Sequence, residues 1–441
     1  MNFMDYADLL KTKIKDRSAK VAVMGLGYVG LPLALEGAKA GFQVIGIDRD
    51  GEKVERISQG KNYLLDISEE ELKQTVSSGH LIVTGEFCYL KEADIIVICV
   101  PTPLNIRKEP DVSYIKDAVT EIVKYRRRGQ LITLESTSYP GTTEELIAAP
   151  LMEAGLTPGQ DVFIAFAPER LDPGNKKFYT RNIPKVVGGE TPVCLKTACC
   201  FYGEIINEVK PVSSPRVAEM TKILENTYRA VNISLVNELM LFCDQAGIDI
   251  WEVIEAAATK PFGIQTFYPG PGIGGHCISV DPFYLSWKAK EYGFHLGFIE
   301  WAGRVNNLII RHVVDKVADA LNKHGKCLNG AKILVIGVAY KKDIGDTRES
   351  PALVIAERLL QANALIKYFD PYVPEIKLPG GDVFQRISLT EAEIKEADCV
   401  LVITDHSSVD YDWLVSHASL IVDTRNALRK VVSGKEKIIR I

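Results

Sequence analysis

Short apolar segments alternate with longer helix-forming segments through the first half of this chain. Lys20–Met24 is a strand-length apolar segment, residues 31–40 favour a helix, and residues 42–47 form a second apolar segment that is followed by Asp48. Further strand-length segments lie at 95–100, 131–134 and Val162–Phe166. Strands that alternate with helices predict a parallel, doubly wound α/β sheet.

The same pattern returns in the last third of the chain. KEADIIVICV at 91–100 returns as KEADCVLVIT at 395–404, and KILVIG at 332–337 resembles the opening strand. IKYFD at 366–370 resembles the second strand with its terminal acid. The second copy lacks the three-glycine spacing and carries a polar loop at 341–350. We therefore predict two related α/β domains, the second adapted to a different phosphate-bearing ligand.

The region between the two copies, about 205–315, has a helical pattern. No proline or glycine occurs between Pro215 and Gly247, and apolar residues recur there at helical spacing, namely Met220, Ile223, Leu224, Val231, Leu235 and Leu239. A helix this long needs burial, which a dimer interface would supply. The predicted fold class is α/β, with two Rossmann-like doubly wound domains (1–204 and 326–441) joined by a central helical domain (205–325).

Composition excludes several classes of protein. The 441 residues carry a net charge of −5 without a long basic run, which argues against nucleic acid as a partner. The longest apolar runs have strand length, and the charged N-terminus does not resemble a signal peptide, so we expect no membrane insertion and a cytoplasmic location. Nine cysteines without a CxxC pair indicate mostly buried free thiols, and the seven scattered histidines predict no metal site.

A GxGxxG motif at 25–30 follows the first strand and opens a helix. Such glycines permit a tight turn and the close approach of a pyrophosphate to a helix N-terminus. Asp48, eighteen residues after the last glycine, is suited to bind both ribose hydroxyls and to repel a 2′-phosphate. The motif therefore predicts NAD, although Arg49 is a residue type that sometimes accommodates NADP.

Polar residues also follow two other strands and line one predicted helix. Thr102 and Thr137 lie at strand ends, where they could bind ribose or phosphate or simply cap turns. A second set at offsets 0, 3, 7 and 10 shares one helical face, and consists of Glu219, Lys222, Asn226 and Arg229. Such a stripe is usually a solvated face, but a lysine one turn from an asparagine also suits proton transfer at a hydroxyl.

A glycine-rich segment, PGPGIGGHCISVD at 269–281, contains Cys277 four residues before Asp281. Neither a helix nor a strand forms across 269–275, so this segment is a loop, where functional residues concentrate. The reactivity of a thiol there depends on its pKa. We interpret the adjacent His276 as structural, because neighbouring side chains often point apart.

These four features, in this order, resemble the UDP-glucose/GDP-mannose dehydrogenase family from about residue 19 to 426. The specific signal is GPGIGGHC followed by DPFYL, which is similar to the branch that oxidises UDP-N-acetylhexosamines. The resemblance implies an NAD-binding domain, a helical dimerising domain and a C-terminal UDP-sugar-binding domain. It also implies a UDP-sugar substrate, with UDP-N-acetylglucosamine expected and UDP-N-acetylmannosamine or UDP-glucose as alternatives, and a product that supplies polysaccharide biosynthesis.

The resemblance also implies roles for individual residues. Cys277 would be the nucleophile, Lys222 would serve acid/base and oxyanion roles with support from Asn226 and Asp281, and Glu169 would assist proton transfer. The cofactor would be held by Gly25, Gly27, Tyr28, Val29, Gly30, Asp48, Arg49, Thr102, Thr137 and, from the C-terminal domain, Arg348. The nucleotide sugar would be contacted by Arg170, Leu171, Lys222, Asn226, Arg229, Tyr268, Gly272, Tyr340, Lys341 and Arg425.

The implied chemistry is a four-electron oxidation in two steps, in which the cysteine traps the aldehyde as a thiohemiacetal and the later thioester is hydrolysed. Three positions depart from the family pattern: Ser279 stands where a proline is frequent, Val280 where many UDP-glucose enzymes have lysine, and KPFG at 260–263 where they have a subunit-crossing arginine. The last two argue against UDP-glucose. The rival interpretations are a two-electron dehydrogenase and a non-catalytic NAD-binding protein, and Cys277 with Lys222 argues against both.

Overall fold

The computed structural model describes residues 5–64, 67–105, 109–172, 174–175, 177–275 and 278–441. The chain divides into two compact units, Met1–Glu225 with Phe283–Phe294 and Asn226–Pro282 with His295–Ile441. The first division falls within a long helix. The three predicted domain ranges therefore stay predictions.

The first unit contains an eight-stranded sheet in the order β3-β2-β1-β4-β5-β6-β7-β8. Every neighbouring pair is parallel except β6 and β7, which are antiparallel. The strands are β1 (Lys20–Met24), β2 (Gln43–Ile47), β3 (Leu81–Thr84), β4 (Ile95–Ile98), β5 (Gln130–Leu134), β6 (Val162–Phe166), β7 (Lys185–Gly189) and β8 (Val209–Val212).

Helices cover both faces of this sheet, which explains why β4 and β6 are apolar at every position. Val21 and Val23 of β1 join one core cluster, whereas Ala22 and Met24 join the cluster on the opposite face. The helices of this unit that precede the division are α1 (Tyr6–Lys15), α2 (Gly30–Lys39), α3 (Gly51–Ser58), α4 (Glu69–Ser77), α5 (Ser113–Tyr125), α6 (Ala149–Glu153) and α7 (Pro192–Ile205).

The described residues in the middle of the chain form four α-helices: α8 (Pro215–Ala246), α9 (Ile250–Ala258), α10 (Asp281–Ala289) and α11 (Gly297–Lys323). The long helix predicted from Pro215 onward is confirmed. Its apolar residues do not all share one environment, because Ile223 is buried whereas Leu224 and Leu235 are 59% and 52% exposed. The six apolar residues grouped in the sequence are therefore not a single face.

The second unit contains a five-stranded parallel sheet in the order β10-β9-β13-β14-β15 and a small antiparallel pair, β11 and β12. The order β10-β9-β13 repeats β2-β1-β4 of the first unit, so the internal repeat and the predicted fold class are confirmed. The elements are β9 (Lys332–Ile336), α12 (Pro351–Gln361), β10 (Leu365–Phe369), β11 (Glu375–Lys377), β12 (Val383–Gln385), α13 (Glu391–Glu396), β13 (Cys399–Val402), α14 (Tyr411–His417), β14 (Ile421–Asp423) and β15 (Ile438–Arg440).

The expectation that most cysteines are buried is only partly correct. Among the cysteines that the structure describes, Cys88 and Cys327 are exposed, because the first lies in a short 3₁₀ turn and the second in the loop after α11. The other described cysteines are buried or partly buried, namely Cys99, Cys194, Cys199, Cys200, Cys243 and Cys399. No helix in the described ranges has the length and apolar character that crossing a membrane requires.

Candidate active site

The three glycines of the motif at 25–30 are required for different physical reasons. Gly25 has a φ of 90°, and a Cβ there would lie 2.6 Å from the carbonyl oxygen of Cys99. A Cβ at Gly30 would lie 1.9 Å from the carbonyl oxygen of Gly25. Gly27, in contrast, has no atom within 4 Å of a built Cβ. The first and third glycines are needed by the fold, whereas the second leaves open space beside the turn.

The N-terminus of α2 begins within this turn. Val29 is the N-cap residue and Gly30 the first helical residue, and no side chain caps this end of the helix. The amide of Leu31 bonds the carbonyl of Gly27. Uncapped amides at a helix N-terminus provide an electropositive site that suits a pyrophosphate. Tyr28 lies in the same turn and is partly buried.

Asp48 follows β2 and shares a cavity of about 250 Å³ with Gly25, Gly27 and Arg49. One oxygen of its carboxylate accepts the amide of Leu26 at 2.8 Å. The structure therefore brings these four predicted cofactor residues to one cavity. The remaining wall residues were not selected from the sequence and include Lys53, Phe87, Val100, Pro101, Tyr114 and Ala118.

The guanidinium of Arg49 is already engaged. It forms an ion pair with Asp117 at 2.7 Å and lies over the ring of Phe87 at 5.5 Å from the centroid. Since Asp117 lies on α5 and Phe87 in a 3₁₀ turn, neither partner could be found from the spacing around Arg49. These contacts hold Arg49 along the cavity wall.

Thr102 and Thr137 follow β4 and β5, which are neighbouring strands. Thr102 is buried and Thr137 is half-buried. Between them, Ser136 Oγ donates to the carbonyl of Val100 at 2.7 Å and joins the two strand ends. The structure thus places both threonines at the carboxyl edge of the sheet, where ligands of doubly wound folds bind.

Glu169, which follows β6, belongs to a buried group of ionisable side chains. Lys185 Nζ donates to Glu135 Oε2 at 2.6 Å and to Glu169 Oε2 at 3.1 Å. The other oxygen of Glu169 accepts the amides of Arg170 and Leu171, each at 2.8 Å. These donors lower the pKa of Glu169 against the opposing effect of burial, which is the largest contribution. The sequence analysis missed Lys185 and gave Glu135 no role of its own.

Arg170 is held from two sides. Its guanidinium pairs with Glu225, with Nη2 at 2.7 Å from Oε1, and its Nη1 donates to the carbonyl of Pro184 at 2.8 Å. Leu171, the next predicted sugar contact, is partly buried. These bonds fix the segment that follows β6 against the segment that begins β7.

The polar stripe of α8 is buried over three of its four positions, so its interpretation as a solvated face is wrong there. Lys222 Nζ donates to the backbone carbonyl of Glu169 at 2.6 Å, and Asn226 Nδ2 donates to Asp281 Oδ2. Glu219 accepts the amides of Gly141 and Thr143 at 2.6 and 2.8 Å. The fourth residue, Arg229, is exposed. The three buried side chains are each held in place by a hydrogen bond, so this face of α8 is suited to position a ligand.

In the second unit the glycine-rich loop packs tightly against its surroundings. A Cβ at Gly272, whose φ is 138°, would lie 2.9 Å from Pro351, and one at Gly275 would lie 2.8 Å from the ring of Tyr340. Two asparagines bond the loop backbone, Asn237 Oδ1 accepting from the amide of Gly270 at 3.0 Å and Asn306 Oδ1 from that of Ile273 at 2.6 Å. Sequence reasoning missed both asparagines.

Three other predicted sugar-nucleotide contacts belong to the second unit. Arg425 Nη1 is 2.5 Å from the position of a Cβ at Gly270, and its buried Nε has no hydrogen-bond partner. Tyr268 stacks on Trp251 at 5.9 Å and is half exposed. Lys341 is partly buried in the loop after β9. The buried guanidinium is therefore the group in this set that most needs an anion or an acceptor.

Arg348 lies in the polar loop of the second unit, where its guanidinium pairs with Asp346, with Nη2 at 2.6 Å from Oδ2. Its backbone carbonyl accepts the amide of Gly275 at 3.2 Å. The predicted contact between Arg348 and the cofactor stays a prediction.

Cys277 and His276 lie outside the described residues. The residues on either side of them are fixed, because Ser279 Oγ donates to the carbonyl of Gly275 at 2.6 Å. The serine that departs from the family pattern thus closes the loop with a side-chain hydrogen bond.

The second unit has lost the dinucleotide site that its repeat would suggest. Asp370 corresponds to Asp48 and accepts the amide of Val338 at 2.8 Å, as Asp48 accepts that of Leu26. Its carboxylate is fully buried and bonded by His406 Nε2 at 2.9 Å. An acid that is enclosed in this way cannot reach a ribose.

Comparisons with known proteins agree with this arrangement. Three models of the UDP-glucose/GDP-mannose dehydrogenase family match the chain: the NAD-binding domain at 19–206, the central domain at 216–308 and the UDP-binding domain at 334–430.

Two curated relatives and one solved structure illustrate the similarity. A UDP-N-acetyl-D-glucosamine 6-dehydrogenase of Pseudomonas aeruginosa is 37% identical over 81% of this chain and 84% of its own. A UDP-N-acetyl-D-mannosamine dehydrogenase of Pyrococcus horikoshii is 34% identical over 94% and 97%. The structure of a UDP-D-ManNAc dehydrogenase from Pyrococcus horikoshii aligns with a TM-score of 0.86 at 33% identity, over 96% of this chain and 98% of that one.

Proposed function

This chain belongs to the UDP-glucose/GDP-mannose dehydrogenase family and is an NAD-dependent UDP-sugar dehydrogenase, and from that premise we propose that it oxidises the C6 alcohol of UDP-N-acetylglucosamine to the carboxylate. The observation that carries this choice is the similarity to UDP-N-acetyl-D-glucosamine 6-dehydrogenases at 34 to 37% identity. The product would supply polysaccharide biosynthesis in the cytoplasm.

A second candidate is UDP-N-acetylmannosamine. Relatives named as UDP-N-acetyl-D-mannosamine dehydrogenases match at 34% identity over a larger share of the chain. The two sugars differ only in the configuration at C2, which lies away from the reacting C6.

The loop around Gly272 and Arg425 is the part of the second unit that we propose contacts the nucleotide sugar, with Tyr268, Tyr340 and Lys341.

The residues at 25–30 and Asp48 suit NAD. The open space beside Gly27, the uncapped N-terminus of α2 and the partly exposed Asp48 carboxylate match a pyrophosphate and an unmodified ribose. NAD supplies the hydride acceptor for each of the two oxidations. We propose that Tyr28, Val29, Thr102 and Thr137 complete this site, with Arg49 along the adenosine side and Arg348 from the C-terminal domain.

Cys277 is the proposed nucleophile. Its thiolate would add to the C6 aldehyde to give a thiohemiacetal, whose oxidation leaves a thioester for water to hydrolyse. The hydrogen bond from Ser279 Oγ to the carbonyl of Gly275 joins the described residues on either side of this position.

Lys222 is the proposed acid/base and oxyanion group. The carbonyl of Glu169 accepts one of its three ammonium protons, so two donors remain for a substrate alkoxide. Asn226 follows one turn later on α8, about 6 Å along the helix, and its bond to Asp281 fixes its amide. Arg170, Leu171 and Arg229 would contact the sugar nucleotide nearby.

The exposed side of α8 supports a homodimer. Apolar side chains that are 38 to 63% exposed recur along it at helical spacing, and they are Val217, Met220, Leu224, Tyr228, Leu235, Leu239 and Phe242. An exposed apolar stripe along a 32-residue helix is typical of a subunit interface. We propose that this stripe pairs with a second copy of the chain.

The test is NADH formation with a panel of UDP sugars. We expect UDP-N-acetylglucosamine to give the highest kcat/KM and two NADH per sugar acid. A higher kcat/KM with UDP-N-acetylmannosamine would select the second candidate. Turnover of UDP-glucose alone would overturn both.

A further inference from the structure

The sheet of the first unit brings a lysine to the edge at which β1 to β6 have their carboxyl ends, because β7 and β8 run in the opposite direction. β7 is antiparallel to β6, with Ala165 opposite Gly189 and Phe166 opposite Gly188. If this register is continued beyond the end of β6, Lys185 lies opposite Glu169. The first residue of β7 therefore meets the residue that we assign to the active site.

Lys185 is 3% exposed, and its ammonium group is directed to two carboxylates inside the protein. A buried ammonium group is costly unless it is paired, and this one is paired twice, with Glu135 and with Glu169. Both carboxylates are themselves at most 9% exposed. Each charged group of this cluster therefore has a defined partner, although none of the roles assigned above requires Lys185.

A continuous chain of bonds leads from this lysine to the active-site face of α8. Lys185 bonds one oxygen of Glu169, and the other oxygen binds the amides of Arg170 and Leu171. These bonds turn the Glu169 side chain back onto its own backbone and fix its carbonyl group. That carbonyl accepts a hydrogen bond from Lys222 Nζ at 2.6 Å.

We propose that Lys185 is a positioning residue that acts through Glu169: it holds the Glu169 carboxylate ionised and turned inward, so that the Glu169 backbone orients Lys222. The proposal rests on the proposed role of Lys222. It gives the Glu169 carboxylate an additional role, which is to fix its own backbone through the amides of Arg170 and Leu171.

The charges around Glu169 give this arrangement a pH signature. The titratable groups that face its carboxylate are Lys185 on β7, Glu135 after β5 and Cys99 after β4, and Tyr202 on α7 donates to Glu135 at 2.7 Å. Lys185 is the cation that lowers the pKa of Glu169. Without it, burial and the neighbouring Glu135 would raise this pKa. Glu169 would then become protonated at a higher pH, and the Lys222 arrangement would be lost there.

The first experiment compares Lys185→Met with the wild type on whichever UDP sugar the wild type oxidises. We expect kcat to fall at least about tenfold while the KM values for NAD and the sugar change less than about threefold. The acid limb of the kcat profile should move up by about one pH unit or more. Lys185→Arg retains the charge and should restore most of this shift.

A double variant separates this mechanism from damage to the fold. Lys185→Met with Glu169→Gln has the same net charge in the cluster as the wild type, because one cation and one anion are both removed. If Lys185 acts through Glu169, the double variant should match the kcat and the acid limb of Glu169→Gln alone within about twofold. Effects that multiply would overturn the proposal, as would an unmoved acid limb in Lys185→Met. The double variant decides the question if Lys185→Met does not fold.

Two further variants complete the design. Tyr202→Phe removes the hydrogen bond from Tyr202 to Glu135, on the side away from Lys185. It should lower the melting temperature without moving the acid limb of the kcat profile. A shift as large as that of Lys185→Met would mean that any damage to the cluster moves the acid limb, and this would overturn the proposal. Lys222→Ala tests the underlying proposal. Full activity in Lys222→Ala would reject the assigned role of Lys222, whereas an inactive Lys222→Ala beside a wild-type profile in Lys185→Met would reject the positioning role alone.

Discussion

His406 Nε2 lies 2.9 Å from Asp370 Oδ2, and both side chains are fully buried. The Nδ1 atom of His406 accepts the amide of Asp343, which assigns the ring proton to Nε2. The imidazole of His406 thus binds the carboxylate of Asp370. The corresponding acid of the first unit, Asp48, lies instead at the wall of a cavity. We expect the first repeat to use its strand-terminal acid for a ligand, whereas the acid of the second repeat is bonded within the fold.

We expect His406→Leu to destabilise the protein by about 2 to 4 kcal/mol, because it leaves the Asp370 carboxylate buried with one partner fewer. The change should leave the Kd for NAD as in the wild type. Urea unfolding and NAD titration measure the two quantities. His417→Leu is the matched control, since His417 is partly exposed and its loss should have little effect. Equal stability of both variants would contradict the prediction.

NAD should be used at least about a hundredfold more efficiently than NADP, because the Asp48 carboxylate repels a 2′-phosphate. Arg49 should not offset this effect, since Asp117 already binds its guanidinium. Asp48→Asn should narrow the ratio of the two kcat/KM values by about tenfold or more. Comparable wild-type efficiency with both cofactors would reject this assignment of Asp48.

Cys277→Ser should reduce sustained turnover by about 10³-fold or more, because a serine hydroxyl without an activating base is a much weaker nucleophile. NAD binding and the melting temperature should not change. Cys327→Ser is the control, since this thiol is exposed in the loop before β9 and has no proposed role. Near-normal turnover of the Cys277 variant with two NADH per product would replace covalent catalysis with oxidation of an aldehyde hydrate.

Glu219 should make stability depend on pH. Burial raises the pKa of this carboxyl to about 7 in the folded protein from its ordinary value of 4.5. The folded state then binds a proton that the unfolded state has released, so stability should fall as pH rises from about 4.5 to 7, by at most about 3 kcal/mol. Unfolding free energies at pH 5 and 8 measure this fall. Glu219→Gln should abolish most of it, and an unchanged difference would assign the fall to other groups.

The exposed stripe of α8 should hold two chains together. Leu235→Glu with Leu239→Glu places charges on that stripe, and we expect light scattering to report a monomer. Leu365→Glu is the matched control, because Leu365 is exposed to a similar degree on β10 and lies outside the stripe. A stable, active wild-type monomer would remove the basis of this prediction.

Local patterns made much of the fold predictable. The glycine motif with Asp48, the repeated KEAD strands and the uninterrupted helix from Pro215 all follow from residues close together in the sequence. Lys185 could not be found in this way, because its importance depends on the reversed direction of β7 and on two carboxylates that follow other strands. The same holds for Asn237 and Asn306, whose helices are distant in sequence from the loop that they bond.

The polar stripe of α8 shows why a sequence pattern alone can mislead. Polar residues at helical spacing normally face water, yet Glu219, Lys222 and Asn226 are buried. Each has a bonded partner from another segment of its own unit, and a sequence pattern does not reveal such partners. Arg229, for which the structure shows an exposed side chain, follows the ordinary expectation.

The empty space around Gly27 distinguishes two reasons for a glycine that the sequence motif does not distinguish, namely packing of the fold and room for a ligand. Alanine at Gly25 or Gly30 would collide with the backbone, so selection for a folded chain alone would keep those glycines. Alanine at Gly27 would contact no other atom of the protein. We expect the Gly27→Ala variant to have the melting temperature, the light-scattering mass and the protease resistance of the wild type. Only a measurement with the dinucleotide present should reveal the change. We therefore expect the glycine at position 27 to be required by the bound dinucleotide and not by the packing of the polypeptide.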